Sequence, residues 1–155
     1  IGTALFQLFQ AYSSYLHPEM FDSFAKEKFA TVGKEASVHL YALPYFFVLY
    51  ALLQGYLVYV LITLYRSFDR LKKGEIFYKK QADEFKRAGG GIIIFAKVKY
   101  LLFCIVGVCF FRGLFIFIKE IPMFLVVYLL GKLVLVLYYL AEKGTFLKEE
   151  TDLTI

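Results

Sequence analysis

Residues 40–65 read LYALPYFFVLYALLQGYLVYVLITLY and carry no formal charge between Leu40 and Tyr65. At about 1.5 Å per residue this stretch is longer as a helix than the ~30 Å hydrocarbon layer of a bilayer, so it is expected to tilt or protrude. Lipid admits only helices and closed barrels, because every backbone polar group needs an internal partner. Barrel strands alternate polar and apolar residues over about 10 positions. This run is longer and continuously apolar, so it reads as a helix. Pro44 falls in its first turn, where a missing amide costs little.

Working outward, the same pattern recurs. Apolar runs cover 1–16, 98–118 (interrupted by Arg112) and 121–141, which opens near Pro122 and contains Lys132. The 155-residue chain is 60% hydrophobic and only 20% charged, and its apolar residues lie in blocks. A soluble domain of this size would be left with large exposed apolar patches. A soluble enzyme, a disordered tail and a disulfide framework are therefore excluded. The expected fold class is all-α, an integral-membrane four-helix bundle formed by a single transmembrane domain over 1–155. The first residue is Ile1 and not Met, so upstream residues are expected to be missing.

Charge sets the expected orientation. Segment 66–91 holds eight Lys and Arg against four acids, whereas the 17–39 loop holds three against four. Basic loops stay on the cytoplasmic side. Both termini and the 142–155 tail then face the cytoplasm, and 17–39 and a tight turn at 119–120 face out. Tyr12, Tyr15, Tyr41 and Tyr45 fall at one expected boundary and Tyr65, Tyr100, Tyr138 and Tyr139 at the other, as aromatic belts do. A short surface helix is expected near 18–29. A second, near 79–87, is expected to stop at Gly89-Gly90-Gly91, since glycine accepts the left-handed conformation that ends helices. The net charge of +5 fits a membrane-facing basic loop better than nucleic acid, whose direct binding is not expected.

Motifs for catalysis are missing. His17 and His39 lack a third metal ligand. Cys104 and Cys109 lie about 140° apart around a helix and make neither a redox nor a zinc pair. The triple glycine lacks the Lys-Ser/Thr of a phosphate loop. No enzyme activity, metal or cofactor is expected. The intramembrane cations carry more information. Counted from the 119–120 turn, Arg112 and Lys132 lie about 12 and 18 Å deep, with no acid in a span core to neutralise them. Two readings stay open: an anionic ligand, lipid headgroup or partner carboxylate; or snorkelling with bonds to tyrosines such as Tyr128. Thr3, Gln7, Gln10 and Ser14 share one helix face. With Gln54, Arg112 and Lys132 they outline a polar seam, or else simple interhelical glue. On the cytoplasmic side Lys72, Lys73, Lys79, Lys80, Lys86 and Arg87, with Phe77 dipping into the interface, suit anionic lipids or a docked protein.

Two stretches carry a resemblance. Leu71-Lys72-Lys73-Gly74-Glu75-Ile76-Phe77, followed by Gln81-Ala82-Asp83-Glu84-Phe85-Lys86-Arg87-Ala88-Gly89, resembles the cytoplasmic loop of a family of small four-span bacterial membrane proteins. That family is known only as a domain of unknown function. Leu147-Lys148-Glu149-Glu150-Thr151-Asp152-Leu153-Thr154-Ile155 is similar to its terminal Leu-x-x-Glu-Asn-Asp-Leu-Thr-Ile/Val. Ile76 replaces a proline, Gln81 and Thr151 replace asparagines, and Phe85 replaces a leucine. Members are often encoded beside a small helix-turn-helix regulator. The resemblance implies a multi-pass protein of the bacterial cytoplasmic (inner) membrane with a protein partner, and it offers no catalytic residues to transfer.

The expected function is that of a non-enzymatic accessory or regulatory membrane protein. Its basic loop and its tail (Asp152, Leu153, Ile155) would engage a partner, with Thr151 to Ile155 adding as a strand or lying on the loop. A structural subunit of a larger membrane complex is the alternative. A transporter or an enzyme acting on an anionic lipid ranks third, because broken spans and a nucleophile are lacking.

Overall fold

A computed structural model describes residues 2–29, 41–73, 79–111 and 115–152. These residues form α1 (Gly2–Leu16), a 3-10 turn (Pro18–Phe21), α2 (Asp22–Phe29), α3 (Leu43–Lys72), α4 (Lys79–Phe111) and α5 (Ile116–Asp152). No strand occurs among the described residues. Three helices are long and apolar enough to cross a membrane: Leu43–Lys72, Lys80–Phe111 and Ile116–Gly144. Only 17%, 39% and 11% of their most apolar windows are buried within the protein. The rest needs lipid or another chain to cover it. Of the four expected spans, three are present as span-length helices, and α1 is a shorter helix of 15 residues.

Several expected boundaries move. α3 starts at Leu43 with Pro44 at its second position, where no intrahelical donor is lost. It then continues beyond the apolar run through Arg66 to Lys72. Arg70 and Lys72 in the last turn complement the negative end of the helix dipole. The Lys73 amide donates to the Arg70 and Asp69 carbonyls at 3.0 and 3.3 Å, tightening the helix end. The surface segment 18–29 is helical, as its mixture of charges and aromatics suggested.

The chain reverses between Phe111 and Ile116, not at 119–120. The expected span 98–118 therefore crosses two helices, and Lys119, Glu120 and Pro122 all lie inside α5. An apolar run on both sides of a reversal looks to hydropathy like one span. The glycines at 89–91 do not stop a helix either: α4 passes through them for 33 residues. The cost of glycine in a helix, about 1 kcal/mol, is offset at Gly89 by close packing. A Cβ on Gly89 would meet the Gly131 carbonyl oxygen at 3.0 Å, and one on Gly131 would meet Ile93 Cγ1 at 2.7 Å. Small residues let two membrane helices approach backbone to backbone. The tail is helical through Asp152, so Thr151 and Asp152 belong to α5 and not to a strand. Residues 153–155 lie outside the described residues.

The chain divides into two compact units, Ile1–Tyr56 with Lys97–Leu125, and Leu57–Ala96 with Val126–Ile155. The first is built on rings. Phe46, Phe47, Phe103 and Phe111 are buried beside Leu43, Val106 and Ile116. Phe46 meets Phe103 edge-on at 5.1 Å, and Phe21 and Phe24 pack on Phe47 at 5.7 and 5.5 Å, anchoring the surface segment. Gly107 makes room for Ile116, whose Cγ2 would lie 2.9 Å from an added Cβ. The second unit leans on small and branched residues: Val60, Ala82, Ala88, Ile92, Val134 and Ala141 surround the buried ring of Phe85, and Phe95 is buried in the same unit.

Candidate functional site

The charged ends of α3, α4 and α5 belong to the second unit. Arg70 Nη1 donates to Glu84 Oε1 at 2.8 Å, joining α3 to α4 in a partly buried ion pair. Phe68 and Phe85 meet edge-on beside it at 5.5 Å. The Lys86 ammonium lies over the Tyr138 ring at 5.3 Å, and the Tyr138 hydroxyl donates to Glu142 Oε1 at 2.8 Å. α4 and α5 are thereby linked at the same end. Lys73 pairs with Asp69 one turn back at 2.8 Å. Arg66, Lys72, Lys80, Arg87 and Lys143 remain exposed. Exposed Tyr65 and Tyr139 precede them along α3 and α5, the placement of an interfacial girdle. Tyr100 belongs to the first unit instead, where its hydroxyl donates to the Phe117 carbonyl at 3.2 Å.

Lys72, Lys73, Lys80, Lys86 and Arg87 are all at the surface. Lys79 opens α4, and Asp152 ends α5, but neither side chain is among those described. Phe77, Leu153 and Ile155 lie outside the described residues. Beneath the basic surface Ser67 and Gln81 are buried, and among the described residues neither side chain has a hydrogen-bond partner.

The seam expected from the sequence is rearranged. Gln7, Gln10 and Ser14 lie on the less exposed side of α1, and Thr3 is exposed. Ser14 donates to the Ala11 carbonyl at 3.0 Å, and Gln7 Oε1 is buried without a partner among the described residues. Gln54 engages the Tyr50 hydroxyl. Lys132 belongs to the second unit, is exposed, and lies over Tyr128 of its own helix at 5.7 Å. Arg112 lies outside the described residues.

The first unit instead holds a polar cluster that hydropathy did not reveal. Glu120 is 7% exposed although it lies within a span-length helix. Lys28 of α2 reaches its Oε1 at 3.6 Å. Both Lys28 and Lys99 of α4 stand 5.6 Å from the centre of the Phe103 ring. Lys119 donates to the Glu27 carbonyl, fastening α2 to α5. Glu120 therefore lies near the start of a span-length helix and not in a loop. Read as a turn, Lys119-Glu120 is outside the membrane; with α5 starting at Ile116, it is inside a helix. The signal available in the sequence was Arg112-Gly113, a charge and a helix breaker in adjacent positions.

Comparison with known proteins adds the family. The model of DUF2975, described as a protein of unknown function, matches residues 11–155. The chain belongs to this family. The match takes in nearly the whole of both units and includes every charged side chain discussed above. Neither a curated protein nor a solved structure matches this DUF2975 member.

Proposed function

We propose that this DUF2975 protein is a non-enzymatic accessory or regulatory protein of the bacterial cytoplasmic membrane, whose charged helical end docks a partner protein. The observation that carries this reading is the ordered end of the second unit. There α3 and α4 are joined by Arg70–Glu84, and α4 and α5 by Lys86, Tyr138 and Glu142. α5 continues as a helix beyond its apolar stretch, through Asp152. A topology determinant alone needs only charge; linked helices that extend past the apolar stretch form a shaped surface. Exposed Lys72, Lys80, Arg87 and Lys143 favour a partner with an acidic face and hold the same end against anionic lipids.

The test is co-purification in mild detergent of the full chain and of a chain lacking residues 147–155. Loss of a stoichiometric partner upon truncation, with the membrane fraction unchanged, is the expected result. Equal partner recovery from both would remove the tail from the docking surface.

A further inference from the structure

The polar cluster of the first unit is independent of that docking surface and has an unbalanced charge. Two ammoniums, Lys28 and Lys99, face the same Phe103 ring from 5.6 Å, which places them within about 11 Å of each other. One carboxylate, Glu120, is buried beside them and pairs with Lys28. Glu120 acts on Lys99 only through space, and among the described residues Lys99 forms no ion pair. Lys99 is half-buried, and it lies within a helix of span length. A cation at such a position normally has a counter-charge, because leaving it unpaired in a low-dielectric setting is costly. The cation–π contact with Phe103 supplies part of the compensation but leaves the charge in place. Tyr50, which stands 5.5 Å edge-on to Phe103 and engages Gln54, adds neutral polar groups on the same ring.

We propose that Lys28 and Lys99 bind a phosphate oxyanion beside the Phe103 ring, with Glu120 setting how tightly it is held. Lysine suits this task as a point-charge donor to phosphate. Glu120 neutralises one ammonium and leaves a net single positive charge for the ligand. The phosphate comes either from a lipid headgroup or from free inorganic phosphate. The span position of Lys99 favours the lipid.

The experiment uses the full chain in phosphatidylcholine nanodiscs, titrated with phosphatidylglycerol and read by native mass spectrometry. Wild type is expected to retain phosphatidylglycerol. K99Q should weaken retention about tenfold, the scale of one charge-assisted contact, while K99R preserves most of it. E120Q should strengthen retention, because it removes a competing negative charge without removing a donor. Competition by inorganic phosphate would assign the site to the free ion, and retention against it would assign it to the lipid; both support a phosphate site. Equal retention by wild type, K28Q and K99Q would overturn the proposal, as would a wild-type protein that retains neither form. If K99Q fails to fold, E120Q decides alone: unchanged or weaker binding would sink the idea.

Discussion

The two units solve the same packing problem in opposite ways. The first fills its core with aromatic rings and holds a buried carboxylate and two lysines around one of them. The second brings α4 against α5 at Gly89 and Gly131, with alanines and branched aliphatics nearby, and gathers its charges, Lys132 apart, at one end. Rings leave irregular edges that polar groups can line. Backbone-to-backbone contact leaves no such space. The first unit buries an ion-paired carboxylate, Glu120, whereas among the described residues the second buries only neutral polar side chains, Ser67 and Gln81.

Removing the central ring should have the largest effect. Phe103→Ala is expected to destabilise the first unit by about 3–5 kcal/mol, measured by reversible unfolding in detergent. It should also release Lys28 and Lys99 from their shared surface. A cost below about 1 kcal/mol would mean that the aromatic cluster is not what holds this unit together.

The tight contact is probed by addition instead of removal. Gly131→Ala places a Cβ near Ile93 Cγ1 and against the backbone of Gly89 and Ile93 at 3.1 Å. The expected cost is about 1–3 kcal/mol. Gly55→Ala is the matched control, since nothing lies within 4 Å of its added Cβ. It should gain up to about 1 kcal/mol from helix propensity. Similar melting temperatures for the two variants would erase the distinction between the units.

The smallest effect belongs to the charged end. A double-mutant cycle on Arg70→Gln and Glu84→Gln should give a coupling of about 0.2–1 kcal/mol, since the pair is only partly buried. The coupling should shrink as salt rises. A salt-independent value would place the pair in a drier setting than its exposure implies.

Much of the helical architecture was legible in the sequence. The run from Leu40 to Tyr65 required a helix, and Pro44 marked its start. The mixed segment after Pro18 signalled surface helices. The hairpin reversal was not legible, because Phe110, Phe111, Leu114 and Phe115 continue the apolar pattern on both sides of it. With the turn misplaced, Glu120 was assigned to a loop and Lys99 to a span boundary, so their proximity could not be inferred. The glycines at 89–91 were ambiguous for a different reason. The same residue that ends a helix also permits two helices to touch, and only the opposing Gly131, forty residues away, distinguishes the two roles. The stripe on α1 was legible in direction, since Gln7, Gln10 and Ser14 do turn inward, but periodicity on one helix does not name what it faces.

Helical order extending through Asp152 bears on how fast and how cheaply an encounter can mature. A flexible tail must surrender about 1–2 kcal/mol of backbone freedom per residue when it is captured. In α5 those dihedrals are already fixed in the unbound chain. A partner docking there, as proposed, would meet a preorganised template, so its recognition would be governed by shape and charge and not by folding upon contact.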